Sequence, residues 1–364
     1  MAVFQGKPVL TRKAKTIIDL NNQSFKHKLL CDGKVVNTGD ACVYKCSFCY
    51  VPSMMQKLVY QMINEYNQEH GTQHKFPDFV IRREEPLRTL GNQLRQKRNK
   101  VQSVNDPSDQ SVVYSSTTVD PAANMELLNE TAQWVNYLLD NTFWQIRLLS
   151  KSSLLPHLIK KGLVPNKRRP GSNYSHHDRI IFGFSTGSIQ DEVAKSIEAG
   201  TSFVSQRIKA LHWLQDEGFR TYGMICPSLP QEDYTSFSKK MVELLRPERM
   251  EHIWAEVINL RGESFKRTYN SLLSAGLAQE ADRLASVTRG ETAKTNWEAY
   301  ARSTFNAHTK HFKPSKLRFL QYVDRNSLEW WKNQTNKGAI LLGRLAEDRG
   351  LVSDEKSAPD RYYC

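Results

Sequence analysis

Three of the chain's six cysteines lie within eight residues. Cys42, Cys46 and Cys49 have the spacing C-x3-C-x2-C, and the other three cysteines lie far apart in the sequence. Cysteine thiolates are the usual ligands of iron–sulfur clusters, and a [4Fe–4S] cube has four irons. Three protein ligands would leave one iron open to a substrate or a cofactor. The spacing therefore predicts a cluster that takes part in chemistry.

A structural zinc site is the main alternative, because zinc also binds thiolates. Such sites use four ligands, commonly two close pairs of cysteines or a cysteine pair with a histidine pair. No second pair follows the motif, and the nearest histidines, His70 and His74, lie more than twenty residues downstream. Three buried cysteines without a metal are a further alternative. The spacing favours an iron–sulfur cluster over both.

The motif resembles that of the radical S-adenosylmethionine superfamily, which is C-x3-C-x-aromatic-C, with Phe48 as the aromatic residue. The resemblance implies a [4Fe–4S] cluster on the three cysteines and S-adenosylmethionine bound to the fourth iron through its amine and carboxylate. It implies that reduction of the cluster, by a partner such as a flavodoxin or ferredoxin, produces a 5′-deoxyadenosyl radical. The cofactors would carry this chemistry, and the protein would orient them and exclude side reactions.

Apolar strand-like segments alternate with helical ones about six times between residues 35 and 265. This alternation predicts an α/β fold with parallel strands, and it matches the superfamily's open, partial (β/α)6 TIM-like barrel. We expect an N-terminal extension (1–35), the barrel (36–268) and a C-terminal helical region (269–364) rich in basic and aromatic residues. The predicted strands are 35–39, 112–118, 144–152, 179–186, 219–227 and 253–260, and helices are predicted in the last region at 272–284, 292–304 and 339–345.

Barrels of this kind place their chemistry at the C-terminal ends of the strands. At the end of the second predicted strand, the chain lacks the Gly-Gly-Glu segment that is common in the superfamily. Hydroxyl side chains and Asp120 stand there instead. This arrangement resembles the spore photoproduct lyase and DNA-repair-photolyase-like branch. The resemblance implies that the following residues bind the S-adenosylmethionine cofactor: Phe48, Tyr50, Ser115, Ser116, Thr117, Asp120, Lys151, Ser185, Glu198 and Arg207. Simpler interpretations stay open, namely turn residues for the hydroxyls and Asp120, a surface lysine for Lys151, and an ion pair with Glu198 for Arg207.

Spore photoproduct lyases use one more cysteine, a few dozen residues after the motif, to return a hydrogen atom. This chain has no cysteine between Cys49 and Cys226. The candidates for that role are Cys226, Tyr50 and Tyr114. The departure favours a member of the branch that acts on another substrate.

The chain has 51 Lys and Arg against 38 Asp and Glu, a net charge of +13 and a pI near 9.4. A positive field of this size attracts nucleic acid. Candidates for that contact are the basic runs at 82–83, 95–100 and 167–169 and the stretch 310–319, which mixes cationic and aromatic residues. The alternatives are a solvated charged surface for the basic runs and helix packing for the aromatic stretch. We expect a nucleic-acid substrate, DNA in preference to RNA.

No run of about 18 apolar residues or N-terminal signal core is present, so we expect a cytoplasmic protein that does not enter a membrane. Three functions remain open. The first is a lyase- or transferase-type radical enzyme that repairs DNA or modifies a base. The second is a radical enzyme that modifies RNA, peptide or a small metabolite. The third is a non-enzymatic iron–sulfur protein that binds nucleic acid.

Overall fold

The structure is a computed structural model that describes residues 3–4, 7–54, 57–96, 102–115, 117–258, 263–348 and 350. The basic residues 97–100 and Cys364 therefore lie outside the described part. The strands are β1 (Val3–Phe4), β2 (Lys7–Arg12), β3 (Ile18–Asp19), β4 (Lys34–Val36), β5 (Gly39–Ala41), β6 (Val80–Arg83), β7 (Val112–Ser115), β8 (Gln145–Ser150), β9 (Ile180–Ser185), β10 (Thr221–Ser228), β11 (Ile253–Val257), β12 (Leu317–Tyr322) and β13 (Ala339–Leu342). The helices are α1 (Gln23–His27), α2 (Val51–Met54), α3 (Lys57–His70), α4 (Pro86–Arg95), α5 (Met125–Asn141), α6 (His157–Lys160), α7 (Asp191–Ile197), α8 (Val204–Asp216), α9 (Tyr234–Leu245), α10 (Ser264–Ser274), α11 (Ala278–Ser286), α12 (Ala293–His311), α13 (Leu328–Lys332) and α14 (Arg344–Asp348).

Nine strands form the main sheet in the order β13-β12-β11-β10-β9-β8-β7-β4-β3. Every neighbouring pair from β4 to β13 is parallel, and β3 pairs antiparallel with β4. Side chains of β4 and β13, near opposite edges of the sheet, share one buried cluster with strands between them. The sheet is therefore curved into a partial barrel, and the predicted fold class is confirmed.

The sheet has two more parallel strands than the six predicted. Leu317–Tyr322 and Ala339–Leu342 form β12 and β13 within the region predicted to be helical. The helix predicted at 339–345 is wrong in its first half, where the buried run Ala-Ile-Leu-Leu is a strand. A short apolar run fits a buried parallel strand and a buried helix equally well, so its pattern alone did not distinguish them.

Helix α5 illustrates a segment whose local sequence decides its structure. Asn124 caps the helix by accepting a hydrogen bond from the Leu127 backbone N–H at 2.9 Å. Apolar residues at helical spacing then face the sheet and are buried. Helices on this side form the large outer core.

A smaller sheet, in the order β1-β2-β6-β5, positions the segment that carries the three cysteines. Strand β5 ends at Ala41, directly before Cys42, and pairs antiparallel with β6. Asp40 in β5 accepts hydrogen bonds from Arg12 at 2.5 Å and from Arg83 at 2.8 Å. Burial alone would raise the pKa of Asp40, but the two guanidinium groups lower it below the usual value.

The N-terminal segment occupies the concave side of the curved sheet. Leu29, Leu30 and Cys31 follow α1 and are buried in an inner core with residues of β4, β7 and β9 to β13. Arg147 donates a hydrogen bond to the Leu30 carbonyl at 2.6 Å, and Trp254 donates one to the Lys28 carbonyl at 2.8 Å. The extension predicted for residues 1–35 thus supplies part of the barrel's filling. None of the helices in the described ranges is long and apolar enough to cross a membrane.

Candidate functional site

The cysteine loop, residues 42–49, connects β5 to α2 and brings its three thiols to one place. Cys42, Cys46 and Cys49 line the same small cavity, together with Thr118 and Arg267. All three thiols are free of disulfides and only partly accessible. The predicted grouping of the cysteines is therefore present in the fold.

The thiols lie in surroundings that keep them protonated without a metal. Burial, followed by the nearby Asp120 carboxylate, raises the pKa of Cys42 to about 12. Burial also raises the pKa of Cys46, and the charges of Cys49 and Cys42 contribute to that rise, so the three groups lie within electrostatic range of one another. The Tyr44 backbone N–H donates to Cys42 Sγ at 3.5 Å. A bound metal must displace the thiol protons, which couples its binding to pH.

The three thiols around one cavity are donors of the kind that an iron–sulfur cluster uses. In the part of the chain that the structure describes, no three His, Cys, Asp or Glu side chains converge closely enough to hold one metal ion. Zinc–sulfur bonds of about 2.3 Å require thiolates to meet around a point. A cube holds its cysteine ligands on separate irons, so they can share a cavity without meeting. The donor set of three thiols around one cavity therefore fits a [4Fe–4S] cluster.

Two helices hold the cysteine loop. Arg267 of α10 donates from Nε to the Ser47 carbonyl at 2.9 Å and from Nη2 to the Cys49 carbonyl at 2.8 Å. The Ser47 backbone N–H donates to the Ile197 carbonyl, at the end of α7, at 2.8 Å. Sequence reasoning missed Arg267, because no local signal links it to a loop more than 200 residues away. The loop is fixed mainly through its backbone.

A buried charge network lies at the strand ends beside the cysteine loop. Lys151, which follows β8, donates from Nζ to Ser185 Oγ at 3.0 Å, to Glu198 Oε1 at 2.5 Å and to the Cys226 carbonyl at 3.1 Å. The same ammonium lies 5.3 Å from the centre of the Phe48 ring. Burial would raise the pKa of Glu198, but Lys151 and Arg207 lower it below its usual value. The structure thus brings six residues predicted to lie at the site into one cluster: Phe48, Lys151, Ser185, Glu198, Arg207 and Cys226.

Arg207 is committed to protein partners. It donates to Glu198 Oε2 at 2.6 Å, to the Ser185 carbonyl at 2.8 Å and to the Ser202 carbonyl at 3.0 Å. Only 1% of its surface is exposed. Of the two interpretations that the sequence left open for Arg207, the ion pair with Glu198 is the one observed. Its contact with the S-adenosylmethionine carboxylate stays a prediction.

Asp120 organises the end of β8. Its carboxylate accepts hydrogen bonds from Ser150 Oγ at 2.7 Å, from the Lys151 backbone N–H at 2.8 Å and from the Ala122 backbone N–H at 2.9 Å. Burial raises the pKa of Asp120 above its usual value, although these donors oppose the rise. Asp120 therefore fixes the position of the Lys151 backbone.

The hydroxyl-rich segment after β7 is only partly described. Ser116 lies outside the described residues. Ser115 is fully buried, and its hydroxyl has no hydrogen-bond partner among the described residues. Thr117 donates from its hydroxyl to Asn37 Oδ1 at 3.0 Å, and its carbonyl accepts from the Tyr50 hydroxyl at 3.2 Å. The cofactor contacts of these residues stay predictions.

The three predicted hydrogen-atom donors occupy different surroundings. Cys226, near the end of β10, has its Sγ 3.9 Å from Glu256 Oε2, and burial followed by that carboxylate raises the pKa of Cys226 to about 12. Tyr50 as a whole residue is 37% exposed, yet burial around its hydroxyl raises the pKa of Tyr50 to about 12. Tyr114 is buried in the inner core beside Phe25, with 5.2 Å between ring centres. Which of them donates hydrogen stays a prediction.

Sequence reasoning missed three residues near the site, namely Lys28, Glu256 and Tyr322. Glu256 and Tyr322 lie at the C-terminal ends of β11 and β12. In a parallel sheet that position indicates a functional residue, once the strands have been assigned. Lys28 comes from the N-terminal segment and lies 5.7 Å from the Tyr322 ring centre. No pattern in the sequence predicts that placement.

No family model matches the sequence, and no curated protein matches it either. Solved structures of spore photoproduct lyase do match the fold. A variant bound to the dinucleoside spore photoproduct is 12% identical, covers 85% of this chain and 81% of its own, and has a TM-score of 0.54. The chain has the fold of spore photoproduct lyase.

Two further structures of that enzyme agree with this result. A complex with the dinucleoside spore photoproduct is 13% identical and covers 85% of this chain and 82% of its own, with a TM-score of 0.52. Another variant has the same identity and coverage, with a TM-score of 0.53. The resemblance stated from the cysteine motif and the strand ends is therefore confirmed at the level of the fold.

Proposed function

We propose that the chain is a radical S-adenosylmethionine enzyme whose [4Fe–4S] cluster is held by Cys42, Cys46 and Cys49. The observation that carries the proposal is the position of three thiols around one cavity, next to the C-terminal ends of the parallel strands. When bound, the cluster and S-adenosylmethionine would supply a 5′-deoxyadenosyl radical. The protein's part is to bind, orient and shield these groups.

Lys151 and Ser185 are proposed to contact the S-adenosylmethionine cofactor directly, with Lys151 exchanging one of its three protein acceptors for the cofactor. Lys151 is half-buried at the strand ends and its ammonium faces Phe48 of the cysteine loop. A cation and a hydroxyl at that point suit the cofactor's carboxylate and ribose. Asp120 and Arg207 act as positioning residues, since Asp120 fixes the Lys151 backbone and Arg207 fixes Glu198.

Nucleic acid is the proposed substrate class, DNA in preference to RNA. The net charge of +13 favours polyanions, and spore photoproduct lyase, whose fold the chain has, binds a dinucleoside photoproduct. A base inside a duplex is shielded, so the target would be extruded or taken from a single strand. Cys226 and Tyr50 are the proposed hydrogen-atom donors, and a flavodoxin or ferredoxin in the cytoplasm is the proposed source of electrons.

The experiment begins with anaerobic reconstitution of the purified protein with iron and sulfide. We expect the absorption of a [4Fe–4S] cluster, a change in its spectrum on addition of S-adenosylmethionine, and 5′-deoxyadenosine once a reductant is present. Cys46→Ala should abolish all three. Cys31→Ala is the matched control, because Cys31 is buried in the inner core and lies outside the cysteine cavity.

The substrate class is then read from product formation with irradiated DNA, undamaged DNA, RNA and a metabolite pool. Consumption of RNA or of a metabolite in place of DNA would instead support a radical enzyme that modifies RNA, peptide or a small metabolite. A cluster that forms without any 5′-deoxyadenosine would support a non-enzymatic protein. Stoichiometric zinc in place of iron would refute the proposal.

A further inference from the structure

Arg267 of α10 places a positive charge in the wall of the cysteine cavity. The cavity that Cys42, Cys46 and Cys49 line is also lined by Arg267. Its guanidinium donates from Nε to the Ser47 carbonyl at 2.9 Å and from Nη2 to the Cys49 carbonyl at 2.8 Å. Two hydrogen bonds from one planar group hold the guanidinium in a fixed orientation against the loop. The charge therefore has a defined position beside the three thiols.

Helix α10 contacts the cysteine loop through a second residue as well. Ser47 Oγ donates a hydrogen bond to Thr268 Oγ1 at 3.1 Å, and Thr268 donates in turn to the Ser264 carbonyl at 2.7 Å. Ser47 is 7% exposed and Thr268 is fully buried. The contact between helix and loop therefore does not depend on the Arg267 side chain alone. A substitution of Arg267 should leave α10 packed against the loop.

The charge of Arg267 is not cancelled by its hydrogen-bond partners. Both of its hydrogen bonds go to backbone carbonyls, which are neutral acceptors. Two other cations near the loop are paired with carboxylates instead. Lys151 Nζ lies 2.5 Å from Glu198, and Lys45 Nζ, within the loop, lies 3.1 Å from Asp78. Arg267 therefore contributes a positive charge to the cavity that no carboxylate in these contacts offsets.

That charge acts on the redox step that the proposed function requires. In this step one electron passes from a reduced flavodoxin or ferredoxin to the cluster, which oxidises the donor and makes the cluster one unit more negative. A nearby cation stabilises the more negative state, and net charge and hydrogen bonding are among the factors that set the potentials of iron–sulfur clusters. Arg267 is half-buried, so salt screens its charge less than that of a surface residue. We propose that Arg267 raises the reduction potential of the cluster.

The inference rests on the proposed function and assigns the control of the cluster's potential to a residue outside the cysteine motif. Its test is an anaerobic redox titration of the reconstituted protein without S-adenosylmethionine, in which electron paramagnetic resonance measures the reduced cluster. Arg267→Met removes the charge. At the potential where half of the wild-type cluster is reduced, we expect the ratio of reduced to oxidised cluster in this variant to fall on the order of tenfold, which is about 59 mV for a one-electron couple.

Two further substitutions of Arg267 separate its charge from its hydrogen bonds. Arg267→Gln also removes the charge but keeps an amide donor for a loop carbonyl, so its potential should fall as in Arg267→Met. Arg267→Lys keeps the charge but loses the fork of two donors, so its potential should stay close to that of the wild type. The titration reports only on molecules that contain a cluster, so a variant that binds less iron still gives its potential.

Two lysine variants are the controls, because each removes one positive charge from the protein. Lys266, the neighbour of Arg267 in α10, is exposed, and Lys266→Met should leave the potential unchanged. Lys45 lies in the cysteine loop itself, but its side chain is 55% exposed and paired with Asp78. Lys45→Met should therefore change the potential less than Arg267→Met does, since exposed, paired charges are largely screened.

Each alternative gives a different result. If Arg267→Met and Arg267→Gln keep the wild-type potential, Arg267 only positions the loop, and the inference is wrong while the proposed function stands. A fall of the same size in Arg267→Lys would assign the effect to hydrogen-bond geometry and refute a role for the charge. An equal fall in Lys266→Met would show that only the net charge of the protein matters, which also contradicts the inference. Absence of a [4Fe–4S] spectrum in the wild type would instead refute the proposed function, and this inference with it.

Discussion

Replacing Glu198 with glutamine tests the charge network at the strand ends. One Glu198 oxygen lies 2.5 Å from Lys151 Nζ and the other 2.6 Å from Arg207 Nη2. Glu198 is 2% exposed and Arg207 is 1% exposed, so water cannot replace the lost carboxylate. Removing one partner of a buried ion pair costs about 3–5 kcal/mol, because the remaining charge stays buried and unpaired. Lys151 is partly accessible, so we expect Glu198→Gln to lower the free energy of unfolding by about 3 kcal/mol.

Urea-induced unfolding followed by tryptophan fluorescence measures this loss. Asp216→Asn is the control, since Asp216 pairs with Arg246 and Arg249 on the surface, where such pairs contribute about 0–1 kcal/mol. A double-mutant cycle of Glu198→Gln with Arg207→Met should show that the two losses are not additive. A loss for Glu198→Gln no larger than that of the control would refute the argument that the network anchors the strand ends.

Three further predictions concern the segment that carries the cysteines. The pKa of Asp40 is lower in the folded state, so the stabilisation that Asp40 contributes is present above the unfolded pKa of about 3.9 and is lost as the pH falls through the folded pKa. In a plot of the free energy of unfolding against pH, Asp40→Asn should therefore remove this part of the loss of stability at low pH. An unchanged loss at low pH would contradict the prediction. Arg267→Met removes the hydrogen bonds to the Ser47 and Cys49 carbonyls, so we expect this variant to contain less iron after reconstitution. Lys266→Met is the control and should bind as much iron as the wild type. Equal iron content in the two variants would refute this prediction. Gly39→Ala would place a Cβ 2.7 Å from the Ile81 carbonyl oxygen, and we expect thermal unfolding to show a loss of about 1–3 kcal/mol in the free energy of unfolding. Gly223→Ala, where the nearest atom would lie at 3.2 Å, is the milder reference, and an equal effect in both variants would contradict the reasoning.

Local signals predicted most of the fold and the centre of the site. The cysteine spacing lies within eight residues, and strands β7 to β10 are largely apolar runs that each end in a serine. The resemblance assigned Lys151 and Ser185 to the site, and each lies where such a strand ends. Parallel strands share an edge, so residues separated by dozens of positions along the chain meet there. This shared edge explains why Lys151, Ser185 and Cys226 are found in one cluster.

What the sequence did not reveal depends on contacts across long separations. Lys28 meets Trp254 across 226 residues, and Arg267 meets Ser47 across 220. Neither residue has a neighbour in sequence that indicates such a contact. Strand β13 was missed for a different reason, because four apolar residues have too little periodicity to distinguish strand from helix. Pairing with β12 decides its structure.

The filling of the barrel by its own N-terminal segment has a consequence for synthesis on the ribosome. Leu29, Leu30 and Cys31 are made early, but part of the inner core that covers them comes from β12 and β13, near the other end of the chain. Until those last strands emerge, the nascent segment has an incomplete apolar binding surface. Fragments that stop before residue 317 should therefore expose apolar surface and aggregate, although they contain the whole cysteine motif.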